Sequence, residues 1–140
     1  MGPPFLAYYG AVKKNQSLIQ MAYDNCRLYR DALLIDGPTG KLWAHIYDDT
    51  NQKWSDEGIW ASGEPLGKCE LLVVDRLFLG NAWAALGMSR VANTIKKSSF
   101  ANEMTPQMND LNAWTKEILD GVFAALVSFY SENPMFKIYR

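Results

Sequence analysis

Between residues 105 and 129 the chain repeats large apolar side chains at a spacing that one face of a helix can bury. Leu111, Trp114, Ile118, Val122, Leu126 and Phe129 follow one another at steps of three and four. Thr105-Pro106 opens this run, where the missing N–H of a proline costs no helical hydrogen bond, and ENP at 132–134 closes it. A second stripe of Leu18, Ala22, Cys26, Tyr29 and Leu33 follows Ser17, a residue type whose hydroxyl suits an N-cap. Pro3-Pro4 fits the first turn of another helix. Ala84, Met88, Val91 and Ile95 form a further stripe after a candidate cap at Asn81. The spacing therefore predicts helices near 4–14, 17–35, 81–98 and 106–130. DGPTG at 36–40 interrupts the series, and 41–63 reads as an irregular aromatic loop with a short extended piece over 41–47. The order of helix, helix, loop, helix, helix predicts a mainly α fold, a row of antiparallel αα-hairpins in one domain over 1–140.

One run does not fit. LLVVDRLFLG at 71–80 is apolar without a break from Leu71 to Val74 and again from Leu77 to Leu79, which is strand-like rather than helical. With no matching face in a hairpin of helices, 64–80 is expected to be a poorly packed loop or a short extended segment.

Charge and composition exclude several functions. Lys plus Arg is 14 against Asp plus Glu 15, a net charge of −1, so no basic footprint for nucleic acid is present. The apolar runs are too short to span a bilayer, and no basic n-region precedes the first of them, so neither membrane anchor nor signal peptide is expected. Cys26 and Cys69 are too few for a disulfide framework. A single histidine, His45, leaves a metal without a convincing ligand set, so no metal and no cofactor are expected.

The chemistry concentrates in TGKLWAHIYDDTNQKWSDEGIWASG at 39–63 and NAW at 81–83, which hold Trp43, His45, Trp54, Asp56, Trp60, Asn81 and Trp83. Flat indole faces suit the apolar C–H faces of sugar rings, while His, Asp and Asn can hydrogen-bond hydroxyls and a carboxylate. The same aromatics also read as core plugs beneath a long loop, and Asp56 as a turn residue in KWSDEG. Residue types leave both readings open.

Four blocks, MGPPFLAYYG, TGKLWAH, WSDEGIWASG and NAWAALGMSRV, occur in the same order as in glycosyl hydrolase families 88 and 105, the unsaturated glucuronyl and rhamnogalacturonyl hydrolases. The chain resembles their fungal members over most of its length. The family blocks are Met-x-Pro-Pro-Phe-Leu-Ala, Thr-Gly-Leu-Trp-x-His and Trp-x-x-Gly-Asn-Gly-Trp. Two departures stand out: Ala82 replaces a glycine, and EPLGKCELLVVDRLFLG (64–80) splits the last block between Gly63 and Asn81. Removing it would restore WASGNAWAALGMSRV. Gly63-Glu64 and Leu79-Gly80 can be encoded with donor-like and acceptor-like splice sequences, so the run is expected to be an in-frame retained intron; a genuine inserted loop or β-hairpin is the other reading.

The resemblance implies an (α/α)6 barrel of six helical hairpins, of which this chain would supply part. It also implies removal of a terminal 4,5-unsaturated uronic acid from lyase-generated pectin oligosaccharides. In that reaction an aspartic acid protonates C4 of the enol ether, water adds at C5, and the hemiketal opens to release the remaining sugar. One carboxyl group serves as acid and then base, and no metal takes part. By resemblance His45, Trp60, Asn81 and Trp83 contact the oligosaccharide, with Trp60 and Trp83 as stacking walls, while Trp43 and Asp56 are further candidates. The proton-donating aspartate is expected ahead of the Pro-Pro-Phe block, before Met1, so the chain alone is expected to be inactive. Barrel faces left open by a partial chain are expected to promote self-association. Two other classes remain: a non-catalytic helical interaction module, although no solenoid repeat period appears, and a sugar-binding remnant without the acid.

Overall fold

A computed structural model describes residues 2–37, 40–44, 47–54 and 70–132. Of these, 76% lie in four helices, so the protein is mainly α. The helices are α1 (Gly2–Val12), α2 (Gln16–Leu33), α3 (Glu70–Lys97) and α4 (Thr105–Glu132). Four short strands, β1 (Leu34–Gly37), β2 (Gly40–Trp43), β3 (Tyr47–Asp48) and β4 (Lys53–Trp54), lie between α2 and α3 in sequence. They form two antiparallel hairpins, β1 with β2 and β3 with β4.

Three boundaries differ from expectation, each for a local reason. α2 is capped by Asn15, whose Oδ1 accepts the Leu18 N–H at 3.3 Å, and not by Ser17. Asn15 doubles as the exit of α1. Its N–H donates to the Gly10 carbonyl at 2.8 Å and the Lys14 N–H to the Ala11 carbonyl at 3.2 Å, with Lys14 left-handed at φ 50°. These are the paired bonds of a Schellman C-cap. At its other end α2 stops at Leu33 because 34–37 turns into β1. α3, in turn, begins at Glu70 and not at Asn81, so the second half of 64–80 is helical rather than a loop or an extended segment. Unbroken apolar runs do not by themselves distinguish a helix from a strand, and extending a helix that already exists avoids a second nucleation step. Residues 64–69 lie outside the described residues.

The chain divides into two compact units. The first comprises 1–32 and 83–116. Its core is Ala7, Ile19, Ala22 and Cys26 with Ala85, Met88, Val91, Ala92, Ile95, Met104 and Leu111, all 4% exposed or less. Full burial of each large member contributes roughly 1.5–3 kcal/mol. α1 and α2 cross closely at Gly10, where an added Cβ would lie 2.9 Å from Ile19 and Leu18 side-chain atoms. α2 and α4 run side by side in the same direction. Gln107 Nε2 donates to Gln20 Oε1 at 3.1 Å, the Tyr23 hydroxyl donates to Asp110 at 2.7 Å, and Arg30 lies 5.6 Å above the Trp114 ring. Tyr23 also stacks on Trp114, with centroids 5.5 Å apart.

The second unit comprises 33–82 and 117–140. Among its described residues Leu42, Trp43, Ala44, Asn81 and Ile118 are buried. This unit contains the β1–β2 hairpin, in register Leu34 to Trp43 and Gly37 to Gly40.

Candidate functional site

The site is best built outward from β2. The Ala44 N–H donates to the Leu33 carbonyl at 2.7 Å, which fixes the phase of the antiparallel ladder. Residues 40, 42 and 44 therefore turn their backbone groups toward β1, and Lys41 and Trp43 turn theirs to the free edge. A free edge is a row of unpaired donors and acceptors and has to be covered. Two helices cover it.

At Trp43 the cover is Asn81, inside α3 and 1% exposed. Its Oδ1 accepts the Trp43 N–H at 2.8 Å, and its Nδ2 donates to the Trp43 carbonyl at 3.3 Å. At Lys41 the cover is Gly121 of α4. A Cβ built there would overlap the Lys41 carbonyl oxygen, lie 2.9 Å from its carbonyl carbon and 3.2 Å from Leu42. Only a residue without a side chain lets β2 come this close. Lys41 Nζ also pairs with Glu117 at 3.5 Å; being partly exposed, this pair contributes about 0–1 kcal/mol. Leu42 and Ile118 are both buried, at 5% and 0% exposure.

The Trp43 side chain is 7% exposed, and its indole N–H meets no acceptor among the described residues. Beyond β2, the β3–β4 hairpin turns on Asp48. Its carboxylate accepts the Thr50 N–H at 3.0 Å, the Asn51 N–H at 3.2 Å and Asn51 Nδ2 at 2.6 Å. Those bonds, the Asn51 side chain foremost, hold Asp48 below the ordinary carboxylate range.

Of the residues singled out in the sequence, Trp43 and Asn81 are brought together. Asn81, expected to meet substrate, is sealed from solvent with its amide on the Trp43 backbone. Trp83, in the first unit, is 52% exposed on α3. His45, Asp56 and Trp60 lie outside the described residues. Among the described residues no group of three His, Cys, Asp or Glu could hold a metal ion, and no helix is long and apolar enough to cross a membrane. Sequence reasoning missed Gly121 and Glu117. The signal for Gly121 was available, since an isolated glycine within a helical stripe commonly marks a close approach.

Compared with known proteins, the chain matches no family model, no curated protein and no solved structure.

Proposed function

We propose that this chain carries the oligosaccharide-binding part of an unsaturated-uronyl hydrolase built on helical hairpins. One observation supports this reading above the others: the Trp43–Asn81 pair joins two sequence blocks 38 positions apart. The resemblance assigns both blocks, TGKLWAH and the NAW end of the split tryptophan block, to a single sugar site. Mounted on a hairpin whose free edge is covered by α3 and α4, the loop that follows β2 has a rigid base, the setting in which binding residues usually lie. Trp83 is half exposed, and an indole is a side chain that can stack on a pyranose ring. The parallel run of α2 and α4 is the relation that every second helix has in a ring of αα-hairpins, and it favours the (α/α)6 architecture.

By the resemblance alone, His45, Trp60 and Trp83 are each expected to contact the oligosaccharide. The carboxylic acid that protonates C4 lies, by the resemblance, ahead of Pro3. Protonation of carbon needs that acid within about 3 Å or one bridging water of the reacting atom. The test is a tryptophan-fluorescence titration with lyase-digested pectin fragments, set beside saturated oligosaccharides of equal length. A saturable change with the unsaturated sugars, reduced at least tenfold in affinity by Trp83→Ala, is expected. Equal or absent responses to both would favour the helical interaction module.

A further inference from the structure

We infer that Asn81 is the positioning residue of this site, a single carboxamide that acts as the missing neighbour strand of β2 and fixes where the chain enters the aromatic loop. A carboxamide presents C=O and N–H side by side, as a peptide unit does. One side chain therefore answers both outward groups of Trp43, accepting at 2.8 Å and donating at 3.3 Å. Aspartate could accept but not donate, and leucine, similar in size, could do neither. At 1% exposure Asn81 is closed to a sugar, so it acts on binding indirectly, and its hold on the Trp43 backbone gives it a route to do so. Gly121 closes the other outward position, and between them the two helices hold β2 at Lys41 and Trp43. Trp43 is the last residue of β2, and the loop of the proposed sugar site begins directly after it. In its link to binding the inference rests on that sugar-site reading; in its account of Trp43 it does not.

Hydrogen exchange and saccharide titration on Asn81→Leu and Asn81→Asp, beside the native chain, test it. The Ala44 amide is the internal reference, because it bonds to Leu33 on the β1 side and owes nothing to Asn81. In Asn81→Leu the Trp43 amide is expected to exchange at least about tenfold faster relative to Ala44. In Asn81→Asp the retained acceptor is expected to restore Trp43 protection, while the lost donor still weakens binding of lyase-digested pectin fragments severalfold. Should Asn81→Leu fail to fold, Asn81→Asp decides. Parallel changes at Trp43 and Ala44, or native affinity in Asn81→Asp, would overturn the inference. A native chain that binds no unsaturated sugar would sink the sugar reading alone, and the exchange pattern would still decide the role of Asn81.

Discussion

Three glycines show how much one hydrogen atom in place of a methyl group decides. At Gly121 a Cβ would collide with the Lys41 carbonyl, which is backbone and cannot swing aside. Gly121→Ala is therefore expected to cost about 1–3 kcal/mol, read as a lowered urea midpoint. Gly10→Ala, against Ile19 and Leu18, is expected to act in the same direction. At Gly87 the nearest atom to an added Cβ is Pro4 Cγ, at an ordinary 3.9 Å. There alanine removes only unfolded-state freedom from a helical position, so Gly87→Ala is expected to stabilise by about 0.4–1 kcal/mol. Two ionisable groups in the first unit set its alkaline limit. Burial raises the Cys26 thiol from 9.0 to about 11, and burial followed by the bond to Asp110 raises the Tyr23 hydroxyl from 10.0 to about 12. In both the folded state holds its proton longer than the unfolded state. Their contribution is thus complete below pH 9 and is lost as pH rises through 11 to 12. Melting temperatures should fall from about pH 9 upward, and Tyr23→Phe should flatten the part of that fall above pH 10. The sequence pointed to Asn81 but not to its use, because its partner is a backbone unit 38 residues away that no local pattern reveals.

Helices with a clear stripe were legible from spacing, and those without one were not. Stripes and breaker residues located α1, α2 and α4 to within a few residues. β1 was hidden because Leu33 and Leu34 continue the apolar stripe of α2 into Ile35. The first turns of α3 were hidden because LLVV and LFL carry no period at all. The helical state of 70–80 has a direct check in Val74→Pro. A proline at that place removes a backbone donor and costs about 3 kcal/mol in a helix interior. Loss of far-UV helical signal, together with a lower melting temperature, is expected; an unchanged spectrum would mean that these residues are not helical in solution.

For the whole molecule the exposed apolar side chains matter more than the buried ones. Phe5, Tyr8, Tyr9 and Val12 form a stripe along α1 at 44–70% exposure, and Leu119, Phe123 and Val127 form another along α4 at 50–68%. Apolar faces of this kind draw copies together. Sedimentation is expected to show concentration-dependent association that Phe5→Glu with Phe123→Glu reduces; a monomer at all concentrations would contradict it. If the chain carries the oligosaccharide-binding part of an unsaturated-uronyl hydrolase, as proposed, isothermal calorimetry with lyase-digested pectin fragments shows it most directly. Saturable heats of binding are expected with the unsaturated fragments, and weaker ones with saturated oligosaccharides of equal length. No heat of binding with the unsaturated fragments, or equal heats with both, would contradict the proposal.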